Sequence, residues 1–181
     1  PKSIEAIKSF LGILYNADFY VPLDTKNPFS RIEAIIKNID LKYIITDSNN
    51  AKLLKDLSSQ VELILLDNIN ITEKIEFDFK NYNLSIDMDP VYILNTSGST
   101  GIPKGVTLPH KAMIDYIEWV IKEYKFDENL ILGNQSPLHF DISASDLYIT
   151  LATGSTLILI PESLFMFPPK LLDFLEEKKV N

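Results

Sequence analysis

Apolar positions alternate between two spacings along this chain. Ile4, Ile7, Leu11 and Leu14 recur three and four apart, the period of one helix face, and Ser3 just ahead of them is suited to cap the helix. Tyr20-Val21-Pro22-Leu23 reads as extended, and Pro28 and Ser30 open a second helix with Ile32, Ile35, Ile36 and Ile39 on one side. The β-branched run Tyr43–Thr46 predicts a buried strand, followed by a polar helix over 51–57 and a strand over 61–66. Residues 68–89, full of Asn and Asp, read as a connector. Beyond Pro90 the pattern predicts a strand over 91–94, a Ser/Thr/Gly-rich loop over 95–105, an extended stretch over 105–108, and a helix over 110–124 with Ile114, Ile117, Ile121 and Tyr124 inward. A strand over 130–132, a helix over 143–152 ended by Gly154, a strand over 156–160 and a helix over 168–179 complete it. Strands alternating with helices predict an α/β fold, layered α/β/α, with a largely parallel sheet covered on both faces.

Charge singles out one stretch. With 25 Asp+Glu against 17 Lys+Arg the net charge is −8, yet Pro90 to Ile114 contains no carboxylate while holding Lys104 and Lys111. Within it lies Thr96-Ser97-Gly98-Ser99-Thr100-Gly101-Ile102-Pro103-Lys104-Gly105, directly after an apolar strand. Glycines allow close backbone approach to a ligand. Exposed N–H groups and hydroxyls can line an anion site, and a lysine supplies a point charge for phosphate. The spacing is not that of a Walker A loop, since Pro103 precedes the lysine and Gly105 follows it, nor that of a dinucleotide loop or a hydrolase elbow. A flexible Ser/Gly linker has similar composition, but the order of residues and the preceding buried strand favour a site.

Downstream, Ser143-Ala144-Ser145-Asp146 has the form of a capping box before the apolar face of Leu147, Tyr148 and Leu151. Asp141 stands outside that box, in a strand-to-helix connection of the kind where α/β folds place ligands, and its carboxylate suits a substrate ammonium. His139 either lines such a pocket or packs on Phe140.

The run Tyr92 through Val106 closely resembles the phosphate-binding signature of the adenylate-forming superfamily, which includes acyl-CoA synthetases, luciferases and the amino-acid adenylation domains of nonribosomal peptide synthetases. Two flanking stretches fall in that family's order. Leu11 to Leu14 through Phe19 to Asp24, with Pro28 and Arg31-Ile32, is similar to a segment usually ending A-Y-V-P-L-D-P, departing at Asn16, Asp18 and Phe19. Phe140-Asp141-Ile142-Ser143 resembles the F-D-x-S motif of amino-acid-activating members, and residues 119–126 and 141–148 look similar to D-alanine–carrier-protein ligases. The resemblance implies that residues 1–181 are a partial N-terminal (AMP-binding) domain, within the large N-terminal subdomain of that fold. It implies that Thr96, Ser97, Gly98, Ser99, Thr100, Gly101 and Lys104 hold ATP phosphates, with Thr100 and Lys104 serving catalysis. Asp141 would hold the substrate amine, with His139, Phe140 and Ile142 around it; Ile142 and Ser145 fall near pocket-lining positions. The implied reaction forms aminoacyl-AMP from an amino acid and ATP·Mg²⁺, then passes the acyl group to the phosphopantetheine thiol of a carrier protein.

Composition narrows the alternatives. Cysteine is absent, which excludes disulfides and thiol nucleophiles within these residues. Two histidines make a His-built metal centre unexpected, and Arg31 as sole arginine in an acidic chain argues against nucleic-acid binding. No apolar run reaches the ~20 residues of a membrane span and no signal peptide is evident, so a cytoplasmic location is expected. The chain begins at Pro1 and lacks the family's later Mg²⁺-linked Glu, ribose-binding Asp and C-terminal Lys, so it reads as a piece of something longer. Other readings are a non-catalytic nucleotide-binding or interaction module and an acyl- or aryl-CoA synthetase. Residues 1–181 alone are expected not to form an adenylate; amino-acid-dependent pyrophosphate exchange by this piece alone would contradict that.

Overall fold

The computed structural model describes residues 2–57, 61–69, 85–96 and 103–181. Helix α1 (Ile4–Tyr15) starts where Ser3 accepts a hydrogen bond from the Ala6 N–H, as the sequence predicts. Its Ile4 end is exposed, and Phe10, Ile13 and Leu14 carry the packing instead. Helix α2 (Phe29–Ile39) buries Ile32, Ile35 and Ile36. With β1 (Tyr43–Thr46), the short α3 (Ser48–Ala51), a 3₁₀ turn over Lys52–Leu57 and β2 (Glu62–Leu65), it builds a smaller core around Ile32, Ile36, Ile44, Leu54 and Val61. The rest of the expected 68–89 connector lies largely outside the described residues. Its last turn ties to the helix that starts at His110, because the carbonyls of Asp87 and Asp89 accept from the N–H groups of Lys111 and His110.

The larger core sits among β3 (Pro90–Thr96), β4 (Lys104–Pro109), α4 (His110–Tyr124), β5 (Ile131–Asn134), α5 (Asp141–Thr153) and β6 (Thr156–Leu159). A 3₁₀ turn over Glu162–Met166 and α6 (Pro168–Glu177) close the chain. Strands β1–β2 and β5–β6 pair in parallel, β3–β4 antiparallel. The fold is therefore α/β, with its one antiparallel pair, among the described residues, at the loop singled out above. Chain length dictates that orientation: residues 97–103 cannot make the crossover of a dozen or more residues that parallel pairing needs.

Two expectations shift. The buried stripe of α4 is Met113, Ile117 and Val120, while Ile114 and Tyr124 face outward. The stripe runs one residue earlier than the isoleucines suggest, because Met113 and Val120 share the side of Ile117 that meets β3 and α5. Helix α5 begins at Asp141 rather than Ser143, and the capping box does not form. Ser143 is inside the helix and 2% exposed; its hydroxyl donates back to the Phe140 carbonyl at 2.7 Å. Gly154 ends α5 at φ +70, where a side chain would be strained.

A Cβ on Gly105 would lie 2.7 Å from Ile93 Cγ2, across the β3–β4 pair. Gly105→Ala in the full natural chain is expected to cost about 1–3 kcal/mol, read from the urea midpoint; an unchanged midpoint would show that Ile93 yields freely.

Candidate functional site

The β3–β4 hairpin brings the two ends of the Ser/Thr/Gly loop side by side. Thr96 and Lys104 are register partners, both exposed, and the Thr96 hydroxyl donates to the Lys104 carbonyl at 3.4 Å. From α2, Asn38 Nδ2 donates to the Pro103 carbonyl at 3.2 Å, fixing the loop's exit. Ser97, Gly98, Ser99, Thr100 and Gly101 lie outside the described residues. Thr96 and Lys104 therefore present a hydroxyl and an ammonium at the mouth of a loop whose sequence neighbourhood holds no carboxylate, a donor set that suits phosphate.

Below the hairpin lies a cavity of about 450 Å³. The hairpin contributes Tyr92 and Leu108, α4 contributes Ala112, Met113 and Tyr116, and α5 contributes Asp141, Ile142 and Ser145. Asp141 and Ile142 are in the first turn of α5, so both face this space from the helix N-terminus, where unpaired N–H groups favour negative charge. Asp141 Oδ1 accepts from the Ile142 N–H at 2.8 Å, and its carboxylate remains exposed. Burial raises the pKa of the Tyr92 phenol, and the nearby Asp141 charge raises it further, so Tyr92 stays a neutral donor. Ser145 Oγ, one turn along α5, and the Tyr116 hydroxyl of α4 hydrogen-bond at 3.2 Å. The remaining lining is apolar. The cavity thus pairs one open carboxylate with a mostly apolar chamber.

The other two residues expected at the substrate are placed differently. Phe140 is the extended N-cap of α5 and half exposed. His139 packs its ring on Phe140 at 4.7 Å and sets Nε2 3.8 Å from Asp24 Oδ2. It lines a groove of about 1410 Å³ that runs along α1, the 18–26 segment, β1 and the end of β6, instead of the Asp141 cavity. Tyr92 and Tyr116 line the cavity without having been singled out for it. The sequence gives Tyr92 only as a buried strand residue, and its side of β3 becomes readable once the hairpin is antiparallel.

The adenylate-type resemblance can be tested against known proteins. The family model described as AMP-binding enzyme matches residues 1–181. The chain is 32% identical over 191 aligned positions to an L-proline–[L-prolyl-carrier protein] ligase of Pseudomonas fluorescens, covering 99% of this chain and 37% of that protein. It is 30% identical to a D-alanine–D-alanyl carrier protein ligase of Bacillus cereus, covering 98% of this chain and 35% of that one. The chain therefore spans little more than a third of these relatives. Among solved structures, the McyG A-PCP complex with phenylalanyl-adenylate superposes with a TM-score of 0.83 at 21% identity, over 99% of this chain and 30% of that one. A fatty acyl-adenylate ligase from L. pneumophila superposes at 0.81 and 19% identity, over 99% and 32%. At such identities these two structures speak for the fold.

Tyr116→Phe removes one of two partners in a hydroxyl pair and is expected to cost about 0.5–1.5 kcal/mol. Chemical denaturation of the full natural chain measures it, and no change in midpoint would show the pair contributes nothing.

Proposed function

The chain belongs to the family of AMP-binding enzymes, and from that premise we propose that residues 1–181 form the phosphate-loop and amine-recognition part of an ATP-dependent amino-acid-activating ligase. The observation that carries this reading is the open Asp141 carboxylate lining a mostly apolar cavity beside the Tyr92–Leu108 pair of the hairpin. A fatty or aryl acid gives such a carboxylate nothing to bind, whereas the α-ammonium of an amino acid does. Its pairing is charge-assisted, and Ile142, near the ammonium, would meet the substrate side chain.

In the proposed reaction the substrate carboxylate oxygen attacks the α-phosphorus of ATP. An O–P bond forms, the bond to the β-phosphate breaks, and pyrophosphate leaves. Thr96 and Lys104, with Ser97, Gly98, Ser99, Thr100 and Gly101, would hold the phosphates, and Lys104 and Thr100 would offset charge gathering on the leaving group. In the second step a thiol attacks the acyl carbon, losing its proton, and AMP departs. With no cysteine in these residues, that thiol is assigned to the phosphopantetheine arm of a carrier protein. Among the described residues no three carboxylate or imidazole groups cluster to hold the Mg²⁺ that accompanies ATP, so no step is assigned to that ion. No described helix is long and apolar enough to cross a membrane, and we assign the enzyme to the cytoplasm, where ATP and charged carrier proteins meet.

Asp141→Ala in the full natural chain tests the reading. A lost charge-assisted bond is worth about 1.5–3 kcal/mol, so KM for the amino acid in ATP–pyrophosphate exchange is expected to rise about 10–100-fold, with KM for ATP within about twofold. An unchanged amino-acid KM would contradict the role of Asp141.

A further inference from the structure

We infer that Asn134 and Asp146, braced by Lys2, form a polar anchor around the buried Asn134 side chain that sets the rotation of α5 and so positions Asp141, Ile142 and Ser145 at the cavity. This rests on the amino-acid reading above. Asn134 ends β5 and is 0% exposed. Its Nδ2 donates to Asp146 Oδ2 at 2.9 Å. Its backbone carbonyl accepts from Lys2 Nζ at 3.1 Å and from the Ile160 N–H at 3.1 Å, and Lys2 Nζ also donates to the Gln135 carbonyl at 3.0 Å. Lys2 ahead of the α1 cap, the ends of β5 and β6, and the second turn of α5 therefore meet at one point.

The helix itself explains why such an anchor is needed. Ser143, Ala144, Ser145, Leu147, Ile149 and Thr150 of α5 are all buried, and they spread around most of its circumference. Apolar packing on so many sides selects one rotation weakly, whereas the part-buried Asn134–Asp146 hydrogen bond is lost at any other setting. Buried polar pairs fix register in this way in some proteins. Asp146 is one helical turn beyond Ile142 and next to Ser145, so it and the cavity residues turn together. A rotation of about 20° moves a side-chain tip ~5 Å from the axis by about 2 Å, enough to spoil the placement of a bound substrate. The polar pair is also costly in isolation: burial pushes the Asp146 pKa up, against the Asn134 bond and the charge of Lys2, which favour its ionised form. A residue kept at that cost is explained by placement more readily than by stability. Asn134 Oδ1 has no hydrogen-bond partner among the described residues, consistent with a side chain held for its donor.

The experiment uses the full natural chain and a set of variants. Asn134→Leu/Asp146→Leu removes both partners at once, which leaves no orphaned polar group. The melting temperature is expected to stay within a few degrees, while kcat/KM for the amino acid falls at least about tenfold and KM for ATP changes less than about twofold. Asp146→Asn keeps a hydrogen-bonding oxygen toward Asn134 and is expected to retain near wild-type kinetics. A folded double variant with unchanged amino-acid kinetics overturns the anchor, as does a matched loss in both substrates. If the double variant fails to fold, Asp146→Ala decides: a raised amino-acid KM alone supports the anchor and an unchanged one overturns it. If wild type exchanges pyrophosphate with no amino acid, the functional reading fails separately. The anchor is then read from amide hydrogen exchange over 141–145, expected to quicken about tenfold in the folded variant and overturned if unchanged.

Discussion

Tyr20 is the residue through which the separate parts of the larger core hold together. Its backbone joins β3 as an extra edge, donating to the Val91 carbonyl at 3.4 Å and accepting from the Ile93 N–H at 3.0 Å. Its ring stacks on Phe10 of α1 at 4.2 Å, and its hydroxyl meets the Tyr148 hydroxyl of α5 at 3.2 Å. One side chain, 3% exposed, thereby ties α1, the β3–β4 hairpin and α5 to one another. Burial and the facing phenol hold the Tyr20 hydroxyl neutral, and burial pushes Tyr148 up to about 12, so the pair remains a hydrogen bond between neutral groups. Because Val91 and Ile93 bind Tyr20 through their backbones, Tyr92 between them is fixed in place and its ring reaches the cavity.

The proposed function draws on two parts of this scaffold. The hairpin carries Thr96 and Lys104 at its loop end, and the first turn of α5 carries Asp141 and Ile142 at the cavity. On that reading, sequence-distant segments supply a phosphate contact and an ammonium contact, as joining an amino acid to a nucleotide needs. Neither segment could set their separation alone: the hairpin is held by Tyr20 and by Asn38 of α2, and α5 by the Tyr148 contact and the Asn134–Asp146 bond.

Much of this was readable in the sequence, and the failures have definite causes. Ser3 as a cap, Gly154 as a helix end and the isoleucine face of α2 are local signals, and local signals survive folding. The order Thr96 to Gly105 pointed to the family, which the match over residues 1–181 bears out. The capping box at Ser143 failed because tertiary partners outbid the local motif: Asp146 turns to Asn134, distant in sequence, and Ser143 turns inward to the Phe140 carbonyl. The α4 stripe was misplaced because isoleucine marks hydrophobicity without saying which neighbours a helix meets. Likewise His139 sits beside Asp141 in sequence, but helix entry at Phe140 sends the two toward different spaces.

On the proposed reading, the hairpin loop and the N-terminus of α5 grip two ends of one ligand. A structure of the full natural chain with a non-hydrolysable aminoacyl-adenylate analogue tests it most directly. The ligand ammonium is expected within hydrogen-bonding distance of Asp141, about 3 Å, with the side chain in the cavity beside Ile142 and the phosphoryl group toward the Thr96–Lys104 mouth. An analogue bound with its ammonium away from Asp141, or seated in the groove beside His139, would contradict it.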